Sequence, residues 1–490
     1  MADSFQLYIN GEFCNAEADA TYESIDPSTG IGWAKMPRAS AADTNKAVLA
    51  AQVAFVDGPW STLTTTARGK LLYKLADLVA RDAHVIAELE TRDTGKVIRE
   101  TKAVTGYVAE FYRYFAGLAD KIEGATLPID KPDLEVSTRR EPLGVVAAVV
   151  PWNSQMFLTA SKLGPALAAG NTVVIKASED GPAPLLHFAK LIHEAGFPKG
   201  VVNVITGFGA DCGQVLTSHP LVARVAFTGG SDTARHVVRN TAENFAVTTL
   251  ELGGKSPVVV FDDANLESAL NGVIAGIWGA TGQSCVAGSR LLIHESIHDA
   301  FVAKLAKRAG EIKIGQPLDM ATEMGPLATL KQVQRAEKLI AESVAAGAKL
   351  VCGGKTRKGN GYYFEPTILL APSADLPCVT EEFFGPVLSV LKFKTEDEAV
   401  TLANATKYAF AAGVFTQNLG RAHRLTKRIR AGVVWVNTYR AVSPIVPFGG
   451  NGHTGFGRES GMDATRDYTR TKSIWINTSD APMADPFVMR

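Results

Sequence analysis

Residues 142–177 read PLGVVAAVVPWNSQMFLTASKLGPALAAGNTVVIKA. Residues 143–150 are a continuous apolar run, the pattern of a strand buried on both faces. Across 159–169 the apolar residues recur at helical spacing, and the pattern stops at Gly170. Residues 172–177 are apolar again, so the stretch reads strand, helix, strand, a crossover that joins parallel strands. The alternation continues with a helix at 184–195, stopped by Gly196-Phe197-Pro198. Strands then follow at 201–206, 224–228 and 246–250. Strands alternating with helices of this length predict a parallel sheet covered on both faces.

A second series lies further along. Strands are predicted at 257–261, 290–293, 388–393, 413–416 and 433–436, and helices at 266–278, 299–309, 330–346, 397–404 and 419–430. Towards the amino end, Asn10-Gly11 between LYI and EF predicts a hairpin, and Pro27 and Gly30 mark a turn. Residues 41–110 are helical in pattern: a first helix capped by Asp43, a long amphipathic stretch over 67–90 ending near Gly95, and a third over 99–118. Residues 122–140, with Pro128 and Pro132, read as an extended arm. Residues 468–476 alternate like a strand, and the last dozen residues read as an extended end. No repeat of fixed period is present.

Composition narrows the function. In 490 residues, 50 Lys and Arg balance 50 Asp and Glu, so the chain lacks the basic field that nucleic-acid or anionic-membrane binding usually needs. A hydrophobic share of 46 % with 20 % charged residues is that of a globular protein rather than a disordered one. The five cysteines show neither CxxC nor Cys/His ligand spacing, which excludes a disulfide scaffold and predicts no metal site. The polar start shows no signal region, and the apolar runs are too short to span a bilayer. The expected setting is a reduced cytoplasm.

Five local patterns carry chemistry. TGQSCVAGSR at 281–290 sets Cys285 among small residues after an apolar helix, which suits a nucleophile or a buried core cysteine. LELGGKSP at 250–257 puts Glu251 at a strand end before two glycines, either facing a ligand or simply exposed. VVPWNSQM at 149–156 places Trp152 and Asn153 where a parallel strand meets its helix. There an Asn amide can serve a developing oxyanion or cap the helix. VVIKASE at 173–179 places Lys176 and Glu179 at another strand end, suited to ribose hydroxyls or to a surface ion pair. FTGGSDTAR at 227–235 runs a strand into Gly229-Gly230 and a helix near Ser231, an anion-binding arrangement. The nearest GxGxxG candidate, Gly207, Gly209 and Gly213, has one residue too many.

Together with EEFFGPV (381–387), PFGG (447–450) and GFGRESG (455–461), these motifs resemble the NAD(P)-dependent aldehyde dehydrogenase superfamily, in its order and over nearly the whole chain. The resemblance implies an α/β fold of two parallel-sheet lobes, a Rossmann-like cofactor domain and a catalytic domain, plus a small β oligomerisation arm. Residues 1–119 and 142–252 would bind NAD, 253–465 would form the catalytic domain, and 120–141 with 466–490 would form the arm of a homodimer or homotetramer. The resemblance makes Cys285 the nucleophile, Asn153 an oxyanion donor with the main-chain N–H of Cys285, Glu251 the base that activates water, and Glu459 a second acid. The reaction implied is oxidation of an aldehyde through a thiohemiacetal that gives hydride to the nicotinamide and leaves a thioester, which water hydrolyses. Glu251 is the acid that members transferring the acyl group to coenzyme A lack.

Cofactor contacts carry over to Trp152, Lys176, Glu179, Gly229, Ser231, Leu252, Glu382 and Phe384. Gly230 and Ala234 depart from the usual pyrophosphate loop. Glu179 favours NAD over NADP through repulsion of a 2′-phosphate. The aldehyde tunnel is expected to be lined by Phe157, Leu158, Ser161, Gly279, Ser284, Val286, Tyr439 and Phe448, wide at Ser161 and Gly279. A medium or aromatic aldehyde is favoured, with an acidic semialdehyde or a lactol left open. Arg440 either packs across a subunit interface, the favoured reading, or binds a carboxylate or carbonyl tail. The rival readings are a cysteine-dependent esterase or thioester hydrolase without nicotinamide, and a non-catalytic protein on the same scaffold. His294-Glu295-Ser296-Ile297-His298 spells HExxH but follows a strand, so its histidines are not expected to share a helix face.

Overall fold

A computed structural model describes residues 3–488. The opening crossover forms as predicted: strand Val145–Val150, helix Gln155–Ala169 and strand Thr172–Ala177. The helix starts a turn earlier than its pattern, directly after Asn153 and Ser154. It ends at Gly170, which takes φ +96°, a left-handed value that glycine adopts without steric cost.

The first sheet has eight strands. Its parallel centre runs, in spatial order, Val247–Glu251, Val222–Thr228, Val145–Val150, Thr172–Ala177 and Val202–Thr206. From Val145–Val150 the chain first winds one way to Val202–Thr206. It then returns to the other side for Val222–Thr228. The order therefore reverses between Val145–Val150 and Val222–Thr228, and the crevice beyond their carboxyl ends is where open α/β sheets take ligands. The predicted hairpin is Leu7–Ile9 with Glu12–Cys14, added antiparallel on one edge. Gly455–Phe456 closes the other edge, so this part of the carboxyl-terminal chain joins the first sheet.

Both faces of that sheet are covered. Thr65–Arg81, Ile98–Leu118, Gln155–Ala169 and Ala183–Ala195 bury one side; Ala41–Val56 and Ser231–Thr241 cover the other. Two helical details differ from expectation. The first helix is capped by Ser40, with Asp43 three residues on closing a capping box from inside the first turn. The stretch 67–90 is two helices, Thr65–Arg81 and Ala83–Thr94, parted at Asp82, because apolar periodicity continues across a bend that only backbone geometry reveals.

The second sheet has seven strands: Lys349–Cys352, Thr367–Leu370, Val387–Phe393, Arg290–His294, Pro257–Val260, Ala411–Phe415 and Val433–Val436. Only the edge strand Lys349–Cys352 is antiparallel. It and Thr367–Leu370 are strands the pattern missed, since each is short and lies among glycines and charged residues. A separate sheet joins Thr469–Asn477, Leu134–Pro142 and Thr126–Leu127, all antiparallel.

Among the described residues no helix is long and apolar enough to cross a membrane, and no cluster of His, Cys, Asp or Glu could hold a metal ion. The HExxH residues separate as expected. His294 ends its strand and bonds Ser296 and the Lys394 carbonyl, whereas His298 opens a helix and bonds Asp299.

Candidate active site

Cys285 sits in the turn between the short helix Gly279–Gly282 and strand Arg290–His294. Asn153 approaches from the first lobe. Its Nδ2 donates to the Gln283 carbonyl at 3.2 Å, so the amide is held against the loop carrying the cysteine. The Asn153 carbonyl accepts from Lys96 Nζ at 2.6 Å, and Lys96 is ion-paired with buried Glu90 at 2.8 Å. Neither residue carried a sequence signal, because their partnership spans the end of one helix and reaches a loop 57 residues away.

Glu251 ends strand Val247–Glu251 and is buried, and among the described residues neither carboxylate oxygen has a hydrogen-bond partner. Burial, reinforced by the negative charge of Glu459, raises its carboxyl well above the usual range. Burial pushes the Cys285 thiol up to about 12, and Glu251 and Glu382 push the same way. A thiolate and a carboxylate here oppose one another, so the pair favours holding a proton between them.

Glu459 lies behind Glu251, buried. Ser161 Oγ donates to one oxygen at 2.6 Å and Lys162 Nζ to the other, while Lys162 also donates to Thr228 Oγ1 at 2.6 Å. Lys162 was the missed signal: a lysine in the middle of an otherwise uncharged, buried helix is buried only when paired. Lys162→Met leaves the Glu459 carboxylate buried and without its counter-charge. It is expected to cost about 3–5 kcal/mol, read as a lowered denaturation midpoint.

Two adjoining clefts open at the sheet's reversal point. The first, about 450 Å³, is lined by Trp152, Asn153, Gly229, Ser231, Glu251, Leu252, Cys285, Glu382 and Phe384. The second, about 600 Å³, shares Trp152 and Gly229 and adds Lys176 and Glu179, which pair at 2.8 Å. The fit to a dinucleotide rests on three features. Helix Ser231–Thr241 begins at Gly230 with no side chain capping its first N–H groups, leaving them for an anion. Glu382, its carboxyl raised to about 7 by burial, accepts from the Gly254 N–H at 2.8 Å. The rings of Trp152 and Phe384 meet edge-on at 5.6 Å and wall the cleft between the lobes.

The substrate-side residues divide. Phe157 packs on Phe111 at 4.9 Å and Phe448 on Phe410 at 5.2 Å, both partly exposed. Leu158 and Val286 are buried, and Ser284 is partly exposed. Ser161 and Tyr439 depart from their expected place on an open wall. Ser161 is committed to Glu459 and the Leu158 carbonyl. The Tyr439 hydroxyl donates to the Val286 carbonyl at 2.9 Å from a buried position. Hydroxyls in a buried environment take internal partners, and sequence spacing does not show which. The gap at Gly279 is also filled, by the Arg440 guanidinium.

Residues 13–474 match the sequence profile of the aldehyde dehydrogenase family. The chain belongs to that family. It is 61 % identical over 487 residues to the (Z)-2-((N-methylformamido)methylene)-5-hydroxybutyrolactone dehydrogenase of Acinetobacter baylyi, covering 99 % of each. It is 40 % identical to the betaine aldehyde dehydrogenase of Bacillus subtilis, covering 97 % of this chain and 98 % of that one. The NAD⁺ complex of the aldehyde dehydrogenase from Bacillus cereus superposes with a TM-score of 0.96 at 41 % identity, covering 97 % of both chains. The protein is thus an NAD-dependent aldehyde dehydrogenase with the family's two-lobe α/β fold, and it oxidises an aldehyde. The hydrolase and non-catalytic readings are not favoured.

Proposed function

We propose that this dehydrogenase works through Cys285, Asn153, Glu251 and Glu459, and that its aldehyde carries a carboxylate. The observation supporting the catalytic roles is that Asn153 is pinned to the cysteine loop while an unpartnered Glu251 faces the same cleft. Glu251 takes the Cys285 proton, and Sγ forms a bond to the aldehyde carbon. The carbonyl oxygen gathers negative charge, to which the Asn153 amide and the Cys285 main-chain N–H donate. NAD, when bound, supplies the acceptor for the aldehyde's hydride. Cys285 is then held as a thioester. Glu251 gives up the first proton to solvent and then takes one from the attacking water; the new hydroxyl adds to the acyl carbon, the C–S bond breaks and the carboxylate leaves. Glu459, fixed by Lys162 and Ser161, lies next to Glu251 in a buried polar chain suited to moving that proton.

Asn153→Ala is expected to slow oxidation by about 10²–10³-fold, the usual loss for one oxyanion donor. A loss below tenfold in NADH formation at saturating aldehyde would remove Asn153 from that role.

The residues we assign to NAD are Trp152, Lys176, Glu179, Gly229, Ser231, Leu252, Glu382 and Phe384, with Glu179 placing negative charge where a 2′-phosphate would come. We assign residues 1–119 with 142–252 to the cofactor domain and 253–465 to the catalytic domain, apart from Gly455–Phe456 on the first sheet. Residues 120–141 and 466–490 would pair copies into a dimer or tetramer, a reading supported by exposed Trp475, Ile476 and Leu127 on that sheet. Five free cysteines suit a reducing cytoplasm.

The substrate class follows from the relative's chemistry. A 5-hydroxybutyrolactone is the ring-closed form of a 4-oxo acid, and opening it yields one aldehyde and one carboxylate. At 61 % identity over the whole chain this class is preferred to a medium or aromatic aldehyde. The test is NADH formation at 340 nm with 4-oxobutanoate, butanal and benzaldehyde. A higher kcat/KM for 4-oxobutanoate is expected, and equal or lower values would return the choice to a neutral aldehyde.

A further inference from the structure

Arg440 is the feature of this region that the catalytic cycle does not use. It takes φ +63°, a left-handed value uncommon for a non-glycine residue and held against its cost by the surrounding structure. Strain of this kind collects at ligand clamps. The packing is visible next door. The Tyr439 ring packs closely on Gly276, Gly288 and Gly413, where a Cβ would lie 3.2, 3.2 and 2.7 Å from it, and its hydroxyl donates to the carbonyl of Val286, the residue after Cys285. The backbone that carries Arg440 is therefore tied to the loop of the nucleophile.

Its guanidinium lies where a side chain at position 279 would stand. A Cβ on Gly279 would come within 2.5 Å of Nη1. Among the described residues the Arg440 side chain makes one hydrogen bond, from Nη1 to the Ala275 carbonyl at 3.0 Å. Glu100 lies across the same gap, 3.8 Å from that Cβ position, with both its oxygens accepting from the Ala280 N–H, at 2.9 and 3.1 Å, and it does not come within ion-pair distance of the guanidinium. Among the described residues Arg440 makes no ion pair. A half-buried guanidinium that makes no direct ion pair, on a backbone tethered to the catalytic loop, keeps donors open to an anion.

We infer that Arg440, seated in the space left by Gly279, binds the carboxylate of a 4-oxo acid substrate and so sets the enzyme's preference for acidic over neutral aldehydes. The inference rests on the substrate class proposed above. The positive charge of Arg440 also acts on Cys285, drawing its thiol down against the effect of burial.

The test reads the ratio of kcat/KM for 4-oxobutanoate to that for butanal, a ratio independent of how much of a preparation is folded. Arg440→Gln should lower this ratio by about 10²-fold, the range of a charge-assisted hydrogen bond. Arg440→Lys, which keeps the charge but loses the planar fork, should recover part of the loss. Gly279→Ala leaves Arg440 in the sequence but pushes its flexible tip aside, and should lower the ratio in the same direction. A wild-type ratio near one overturns the substrate class and this inference together. A high wild-type ratio that Arg440→Gln leaves intact overturns Arg440 alone and leaves the substrate class standing.

Discussion

Cys285→Ala is expected to cut NADH formation by about 10⁵-fold or more, the scale of losing a covalent nucleophile. The physical case is that no other thiol can replace it. Cys212 and Cys378 are buried in the two hydrophobic cores, and Cys14 and Cys352 lie on edge strands away from both clefts. NAD binding, measured by calorimetry, should persist, because Lys176, Glu179 and Gly229 sit on the first lobe's strand ends rather than on the cysteine loop. Turnover above about a hundredth of wild type in the alanine variant would mean that the sulfur does not form the bond to the aldehyde. The wild-type thiol, pushed up to about 12, is protonated at neutral pH in the resting enzyme. Acylation therefore needs a base, and Glu251 faces the same cleft.

Glu251→Gln removes the base from both halves of the reaction. NADH release on mixing and hydrolysis of the thioester should both slow, so steady-state turnover falls by about 10²–10⁴-fold. Rapid mixing at 340 nm reads both phases. A variant with full steady-state turnover would show that water is activated elsewhere. The pH dependence carries a sign. The Glu251 carboxyl is raised well above its ordinary 4.5, so its basic form is lost as pH falls through that raised value. Wild-type deacylation should climb with pH across that range, and the acid limb should be absent in the glutamine variant. Stability runs the other way. A carboxyl whose folded value lies above its unfolded one binds protons more tightly when folded, so its contribution is present at low pH and lost as pH rises through the folded value. Denaturation midpoints of wild type should therefore decline relative to Glu251→Gln on going from acid to neutral pH.

Much of this was legible without coordinates, and for local reasons. Strands announce themselves by runs of adjacent apolar residues: 172–177, built on Val173–Ile175, and 433–436 carry the same bounds in sequence and structure. The chemistry-bearing residues sit at strand ends and turns, where a cysteine, a carboxylate or an amide beside glycines is conspicuous. Cys285, Asn153 and Glu251 do come together in one cleft. What failed locally was short or bent. The strands Lys349–Cys352 and Thr367–Leu370 are too brief to show a period, and the break at Asp82 is invisible to apolar spacing.

The sequence by itself determined the α/β alternation and the identity of the chemical groups, because burial on two faces and turn chemistry leave marks within a few residues. Tertiary structure alone decided which groups are partnered. It gave the Ser161 hydroxyl and the Lys162 ammonium to Glu459, the Tyr439 hydroxyl to the cysteine loop and the Lys96 charge to Glu90, while leaving, among the described residues, the Glu251 carboxylate without a hydrogen bond and Arg440 without an ion pair. Hydrogen bonds and charges act over a few ångströms in space between residues up to about 300 apart in the chain, as for Ser161 and Glu459, 298 positions apart. No window of sequence contains both partners, and whether a buried group is satisfied or left for a ligand is settled only when the lobes close around it.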